Sequence, residues 1–235
     1  MCLWDRWLWE LGFAVCHQRT DRLLSFGGRP LFVCARDTGM FVAFFGLLLA
    51  LSLLRRERSA GIPSFATIAL CVAGILFLAW DGLTSYLGWR ESTNLLRFLS
   101  GATGGAGLAV PVSALMNREI WLEDTSRRIM GGGRDILFVS VVPLVALPLY
   151  IMRPPSLFRV AQLELLLSML GTFWSLNLLL ICLLRPRRRE EALRARIALA
   201  FLLLALELAA SYWAHRLLAG GGPLVPPPAL FGRLP

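Results

Sequence analysis

Long runs of apolar residues, separated by short polar or charged segments, dominate the chain. A helix needs about 20 predominantly apolar residues to cross a bilayer, and most of these runs approach that length. The pattern therefore predicts an all-α membrane protein with about six transmembrane helices. They are placed at residues 39–54, 64–83, 98–117, 136–152, 161–184 and 195–219. The fourth run is short and contains Pro143 and Pro148, so we expect a kink there.

The rest of the chain divides around these helices. Residues 1–38 are predicted to form an extramembrane segment, which begins with a short helix lying in the membrane interface. Trp4, Trp7 and Trp9 stand there among charged residues, a pattern typical of an interfacial helix and unlike a signal peptide. Helices 1–3 occupy residues 39–117, a basic loop residues 118–135, and helices 4–6 residues 136–219. A Gly/Pro-rich tail at 220–235 is expected to be extended or disordered.

Composition agrees with a membrane protein and excludes an ordinary soluble one. The chain is 57% apolar and only 17% charged, too little charge to cover such an apolar surface. All 24 basic residues are arginine, and the net charge is +9. Most of these arginines lie between apolar runs. We therefore expect the lipid bilayer, and no nucleic acid, as their partner.

Arginine counts indicate an orientation in the cell's inner or cytoplasmic membrane. The loops after helices 1, 3 and 5 carry three, four and six arginines, whereas the opposite loops and tail carry six in all. Positive loops favour the cytoplasm, so the N-terminus is expected outside. Five arginines in the N-terminal segment weaken the contrast. With six spans, this segment and the loop between helices 2 and 3 share one face in either orientation.

Four motifs collect on that face. They read CHQR at 16–19, CARDTG at 34–39, DG at 81–82 and RESTNLLR at 90–97. In this order they resemble a family of prokaryotic membrane proteins of unknown function, whose pattern is CHQ, CARCTG, DG, an RxSxN-type segment and a Gly-rich helix. The resemblance spans about residues 14–107. It implies that these motifs form a functional site, but it does not indicate which reaction takes place there. Where that family has the second cysteine of CARC, this chain has Asp37.

The first two motifs predict a metal site. Cys16, His17, Cys34 and Asp37 offer sulfur, nitrogen, sulfur and oxygen, all of which zinc accepts in tetrahedral sites. We therefore expect zinc or a similar divalent metal, with all four side chains in one small volume. Two other interpretations stay open. Cys16 and Cys34 could form a disulfide in an oxidising compartment, or the four residues could have separate structural roles.

The last two motifs supply candidate catalytic residues. Asp81 or Glu91 could act as general base beside such a metal, and Asn94 and Arg97 could hold an anionic group. Alternatively, the two acids pair with Arg90 or Arg97 and are structural. The glycines of helix 3 predict close helix packing, because small residues let backbones approach.

These features favour a membrane enzyme acting on a lipid-like or anionic substrate, although enzymatic activity itself stays open. One alternative is a transporter or channel that uses polar stripes on helices 5 and 6. The stripes consist of Glu164, Ser168, Thr172, Ser175, Glu207, Ser211 and His215. Another alternative is a structural or assembly protein stabilised by a metal or a disulfide.

Overall fold

The computed structural model describes residues 3–54, 60–120, 133–184 and 191–218. These residues form eight α-helices: α1 (Leu3–Phe13), α2 (Ala35–Leu54), α3 (Phe65–Tyr86), α4 (Asn94–Glu119), α5 (Gly133–Val141), α6 (Leu147–Met152), α7 (Phe158–Leu184) and α8 (Glu191–Leu218). Five of them, α2, α3, α4, α7 and α8, are long and apolar enough to cross a membrane. The predicted class, an all-α membrane protein, is confirmed.

The helix starts differ from the predicted ones because polar residues cap or open them. Helix α4 begins four residues earlier than expected, and Thr93 caps it by accepting a hydrogen bond from the Leu96 N–H at 3.2 Å. Helix α2 likewise begins at Ala35, so Asp37 and Arg97 both lie in the first turns of helices. The arginine-rich segments at 55–59, 121–132 and 185–190, which carry much of the orientation argument, lie outside the described residues, as does the tail from residue 219.

The predicted fourth span is interrupted rather than merely kinked. A 3-10 turn at Val142–Leu144 separates α5 from α6, because Pro143 lacks the N–H that a continuous helix needs. The segment still joins the two ends of the helix bundle. Val139 packs in an apolar cluster with Leu51 near the end of α2, whereas Tyr150 stacks on Phe98 near the start of α4.

A two-stranded hairpin, absent from the prediction, lies between α1 and α2. Strand β1 (Leu23–Phe26) pairs antiparallel with β2 (Arg29–Cys34). Gly27 and Gly28 make the turn with φ of 56° and 81°, values that favour glycine. The sequence does carry a hairpin signal, because two apolar runs flank the Gly27-Gly28 pair. The hairpin leads the chain directly into α2.

Helix α1 packs beneath this hairpin and against the end of α8. Gly12 permits the approach, because a Cβ there would lie 2.0 Å from the carbonyl oxygen of Phe32 in β2. Trp4 and Trp7 on its other side are exposed, which suits the interfacial position predicted for this helix.

Helices α2 and α4 form the centre of the bundle through direct backbone contact. A Cβ added to Gly39 would lie 2.2 Å from the carbonyl oxygen of Phe98, and one added to Gly101 would lie 2.0 Å from that of Arg36. Gly105 makes the same kind of contact with Met40, at 2.3 Å. This packing fixes the start of α2, and the residues just before it, against the first turns of α4.

Candidate functional site

The start of α2 is built around Cys34, the last residue of β2. The Asp37 N–H points at the Cys34 sulfur with a donor–acceptor distance of 3.5 Å, and the Thr38 hydroxyl donates to the Cys34 carbonyl at 3.0 Å. Unpaired N–H groups and the helix dipole both favour negative charge at a helix N-terminus. The backbone alone therefore favours negative charge at this position, an effect that the side chains around Cys34 oppose.

Cys16, Cys34 and Asp37 converge beside this helix end. One ligand atom from each, the two sulfurs and a carboxylate oxygen, lies within 4.8 Å of the others. The Cys34 thiol donates to Asp37 Oδ2 at 3.1 Å, and the Cys34 N–H donates to the Cys16 sulfur at 3.3 Å. Both cysteines are free thiols. The three residues form what we call the thiol–carboxylate cluster.

The surroundings of Cys34 favour its protonated form. Its hydrogen bond with the Cys16 sulfur, its burial and the negative charge of Asp37 together raise the pKa of the Cys34 thiol above its ordinary value. The thiol is therefore protonated at neutral pH. A metal cation at the cluster would have to displace that proton, since the thiolate is the ligand.

His17 lies outside the cluster although it follows Cys16 directly. Its ring packs against that of His215 in α8, with 5.0 Å between ring centroids. His215 Nδ1 in turn lies 2.6 Å from the Phe13 carbonyl oxygen at the end of α1. The structure thus brings together three of the four predicted ligands, and places the fourth in the contact between the N-terminal segment and α8.

Asp81 is the centre of a second, buried network and is not part of the thiol–carboxylate cluster. Its side chain is fully buried and accepts hydrogen bonds from Arg36, Arg90, Ser92 and Ser100. The bond from Ser92 measures 2.7 Å and that from Ser100 2.8 Å. These four donors come from the starts of α2 and α4 and from the segment between α3 and α4, so Asp81 links three helix ends, and its role as a general base stays a prediction.

The remaining predicted site residues occupy different surroundings. Glu91 is exposed at the surface next to this network. Asn94 donates from Nδ2 to the carbonyls of Asp21 and Leu23, each at 3.2 Å, and accepts from Arg97 Nη1 at 3.1 Å. Arg97 is buried, with 8% of its surface exposed. Asn94 and Arg97 therefore share a helix face, as their spacing of three indicates.

Two residues that organise the site were not among the predicted ones. Gln18 is buried with φ of 50°, and its amide donates to the Trp9 and Phe32 carbonyls at 2.7 and 2.9 Å. Arg36 connects the cluster to Asp81, with its Nη2 2.5 Å from Asp81 Oδ2. Gln18 belongs to the motif CHQR and Arg36 to the motif CARD. Membership in these motifs is the sequence signal that could have identified both residues.

Side chains of the polar stripes on α7 and α8 make hydrogen bonds within their helices and to other parts of the protein. Thr172 and Ser175 donate to carbonyls of their own helix, and Glu164 accepts from Tyr150 at 3.2 Å. Glu207 accepts from Asn177 at 2.9 Å, which joins α8 to α7. Ser211 donates to the Ala14 carbonyl. The bonds of Glu207 and Ser211 join α8 to α7 and to the end of α1.

Comparison with known proteins adds a family match over the region that holds both networks. Residues 16–110 match the family described as predicted membrane protein (DUF2085). An uncharacterized protein of Methanothermobacter thermautotrophicus is 36% identical over 101 residues, which are 43% of this chain and 86% of that protein. An uncharacterized protein of Methanocaldococcus jannaschii is 31% identical over 100 residues, 42% of this chain and 61% of its own length. No solved structure matches.

Proposed function

We propose, from the premise that this chain belongs to the DUF2085 family of predicted membrane proteins, that it is a multi-pass membrane protein with a metal site at one membrane face. The ligands are Cys16, Cys34 and Asp37, and zinc suits them best. The observation that carries the proposal is the convergence of two sulfurs and one carboxylate oxygen within 4.8 Å.

The donor set supports zinc more than the harder cations. Thiolate ligands select zinc and similar soft or borderline metals, whereas magnesium and calcium prefer oxygen alone. Zinc also accepts a carboxylate in the same coordination sphere. The hydrogen bond from the Cys34 N–H to the Cys16 sulfur is the kind of outer contact that orients a metal ligand.

Three protein ligands favour a reactive role over a purely structural one. Structural zinc sites usually have four protein ligands, and catalytic ones usually have three and leave a position open. A metal at such a site supplies Lewis acidity. Asn94 holds Arg97 at the same membrane face, and Arg97 supplies positive charge and an N–H donor that is unpaired among the described residues. We propose that the substrate is an anionic, lipid-like molecule that reaches the site from the bilayer surface.

A stabilising metal is the second candidate, and one observation favours it. Cys16 follows α1, Cys34 ends the hairpin and Asp37 lies in α2, so one metal would join three successive segments. For this role, zinc removal should lower the unfolding temperature strongly. For the reactive role, the protein should stay folded without zinc and lose only its activity.

Zinc titration of the purified, chelator-treated protein tests the proposed site. We expect one zinc per chain, with an apparent affinity that rises about tenfold per pH unit for each proton displaced. The sign follows from Cys34, because a thiol with a raised pKa is protonated at neutral pH and gives up its proton to bind metal. Cys34→Ser should abolish stoichiometric binding. Cys182→Ser, a buried free cysteine outside the cluster, is the matched control and should bind as the wild type does.

Two results would contradict the proposal. One is a protein that binds no zinc at any pH at which it stays folded. The other is equal zinc binding by wild type and Cys34→Ser, which would place the metal elsewhere. Size-exclusion profiles of all variants separate loss of the metal from loss of the fold.

A further inference from the structure

Two guanidinium groups near the thiol–carboxylate cluster carry buried N–H groups that lack an acceptor. The Nε atoms of Arg22 and Arg97 are both buried and have no hydrogen-bond partner within the described part of the chain. Arg97 as a whole is more than nine-tenths buried. A buried donor without an acceptor is rare in native proteins, and a charged one is the most costly kind.

Asn94 places these two arginines side by side. Its Nδ2 donates to the carbonyls of Asp21 and Leu23, the residues on either side of Arg22. Its Oδ1 accepts from Arg97 Nη1. The Asn94 amide therefore fixes both the backbone around Arg22 and the side chain of Arg97. The fold itself thus holds these two positive charges near each other.

The charges around the pair do not neutralise Arg97. The charges within electrostatic range of it are those of Arg22, Arg36, Asp21 and Cys34. Asp21 is more than half exposed and is already 3.3 Å from Arg19 Nε and 3.7 Å from Arg22 Nε. Asp81 is occupied by Arg36 and Arg90. Among the described residues, Arg97 therefore has a side-chain amide as its hydrogen-bond partner and no ion pair.

We infer that Arg22 and Arg97 form a subsite for a phosphate-type oxyanion, next to the thiol–carboxylate cluster. Such an anion offers several acceptors and a negative charge for two neighbouring guanidiniums, and arginine binds it through paired hydrogen bonds. Arg22 is partly exposed, so the subsite opens to the membrane surface on that side. The inference deepens the proposed function, on which its role as a substrate subsite rests. A phospholipid headgroup and a free phosphate share this chemistry.

Isothermal titration calorimetry of the metal-free, detergent-purified protein tests the subsite with two probes. These are inorganic phosphate and dihexanoyl phosphatidic acid, a phospholipid short enough to dissolve. We expect at least one probe to bind, and Arg97→Gln to weaken its binding about tenfold or more. Arg97→Lys, which keeps the charge but not the planar fork, should recover part of that loss. Preference for phosphatidic acid would identify a lipid headgroup, and equal binding would identify the phosphate group itself.

Arg118→Gln is the matched control, since Arg118 lies at the other end of α4 and its side chain is 61% exposed. It should bind both probes as the wild type does. The inference is overturned if neither probe binds the folded wild type, if Arg97→Gln binds normally, or if Arg118→Gln loses as much affinity. Should Arg97→Gln fail to fold, Arg22→Gln at the more exposed position gives the same comparison. Because metal is absent throughout, failure here leaves the zinc titration unaffected.

Discussion

Replacing Asp81 with asparagine should destabilise the protein more than any other single change at this membrane face. The substitution removes the one negative charge that Arg36 and Arg90 share in a fully buried position. Removing one partner of a fully buried ion pair typically costs about 3–5 kcal/mol. The Arg36 and Arg90 side chains are 20% and 25% exposed, so we expect a cost near the lower end of that range. The expected result is a large drop in thermal unfolding temperature in detergent and a low yield of folded monomer.

Asp21→Asn is the control for this experiment, since Asp21 also pairs with arginine but is 57% exposed. Exposed ion pairs contribute at most about 1 kcal/mol, so its unfolding temperature should change little. Adding Arg90→Gln to Asp81→Asn should recover part of the loss, because it removes one uncompensated charge. Equal stability of Asp81→Asn and wild type would show that Asp81 does not hold the helix ends together.

The second large effect is expected from a single methyl group at the contact between α2 and α4. In Gly101→Ala, the new Cβ would lie 2.0 Å from the Arg36 carbonyl oxygen, a distance that forces the two helices apart. Overpacking of this kind typically costs about 1–3 kcal/mol, and more where backbone must move. We expect a clear fall in unfolding temperature, measured on purified protein in detergent.

Gly46→Ala in α2 is the matched control, because nothing lies within 4 Å of its added Cβ. Alanine is favoured over glycine in helices by up to about 1 kcal/mol, so this variant should be as stable as wild type or slightly more so. A Gly101→Ala protein as stable as Gly46→Ala would contradict the close contact between α2 and α4.

The membrane fold could be predicted from the sequence because the bilayer imposes a simple rule. Backbone groups in the apolar region must be paired within a helix, so each long apolar run predicts one element. The sequence did not predict that the fourth apolar run is broken into two helices at Val142–Leu144. Proline indicates that a helix is disturbed, but neighbouring packing decides whether it bends or breaks.

The candidate site could be predicted only in part. Cys34 and Asp37 are three residues apart at a helix start, so their proximity follows from local geometry. The position of Cys16 depends on the turn after α1 and on Gln18, whose contacts with Trp9 and Phe32 could not be read from spacing. The same turn directs His17 to His215, a residue almost 200 positions away in the chain.

The hydrogen-bond partners of Asp81 could not be predicted from the local sequence pattern. Arg36 is 45 residues away in sequence and reaches Asp81 because the glycines of α4 bring α2 close. Polar residues near a membrane surface suggest either catalysis or charge pairing. Only the three-dimensional arrangement shows that four donors already occupy this carboxylate.

X-ray absorption at the zinc edge of the zinc-loaded protein tests the central claim most directly. The proposed ligands predict two sulfur neighbours at about 2.3 Å and lighter neighbours, oxygen or nitrogen, at about 2.0 Å. Asp37→Cys should raise the number of sulfur neighbours from two to three, because residue 37 lies within the same 4.8 Å group. A zinc shell without sulfur, or one that Asp37→Cys leaves unchanged, would contradict a metal site at Cys16, Cys34 and Asp37.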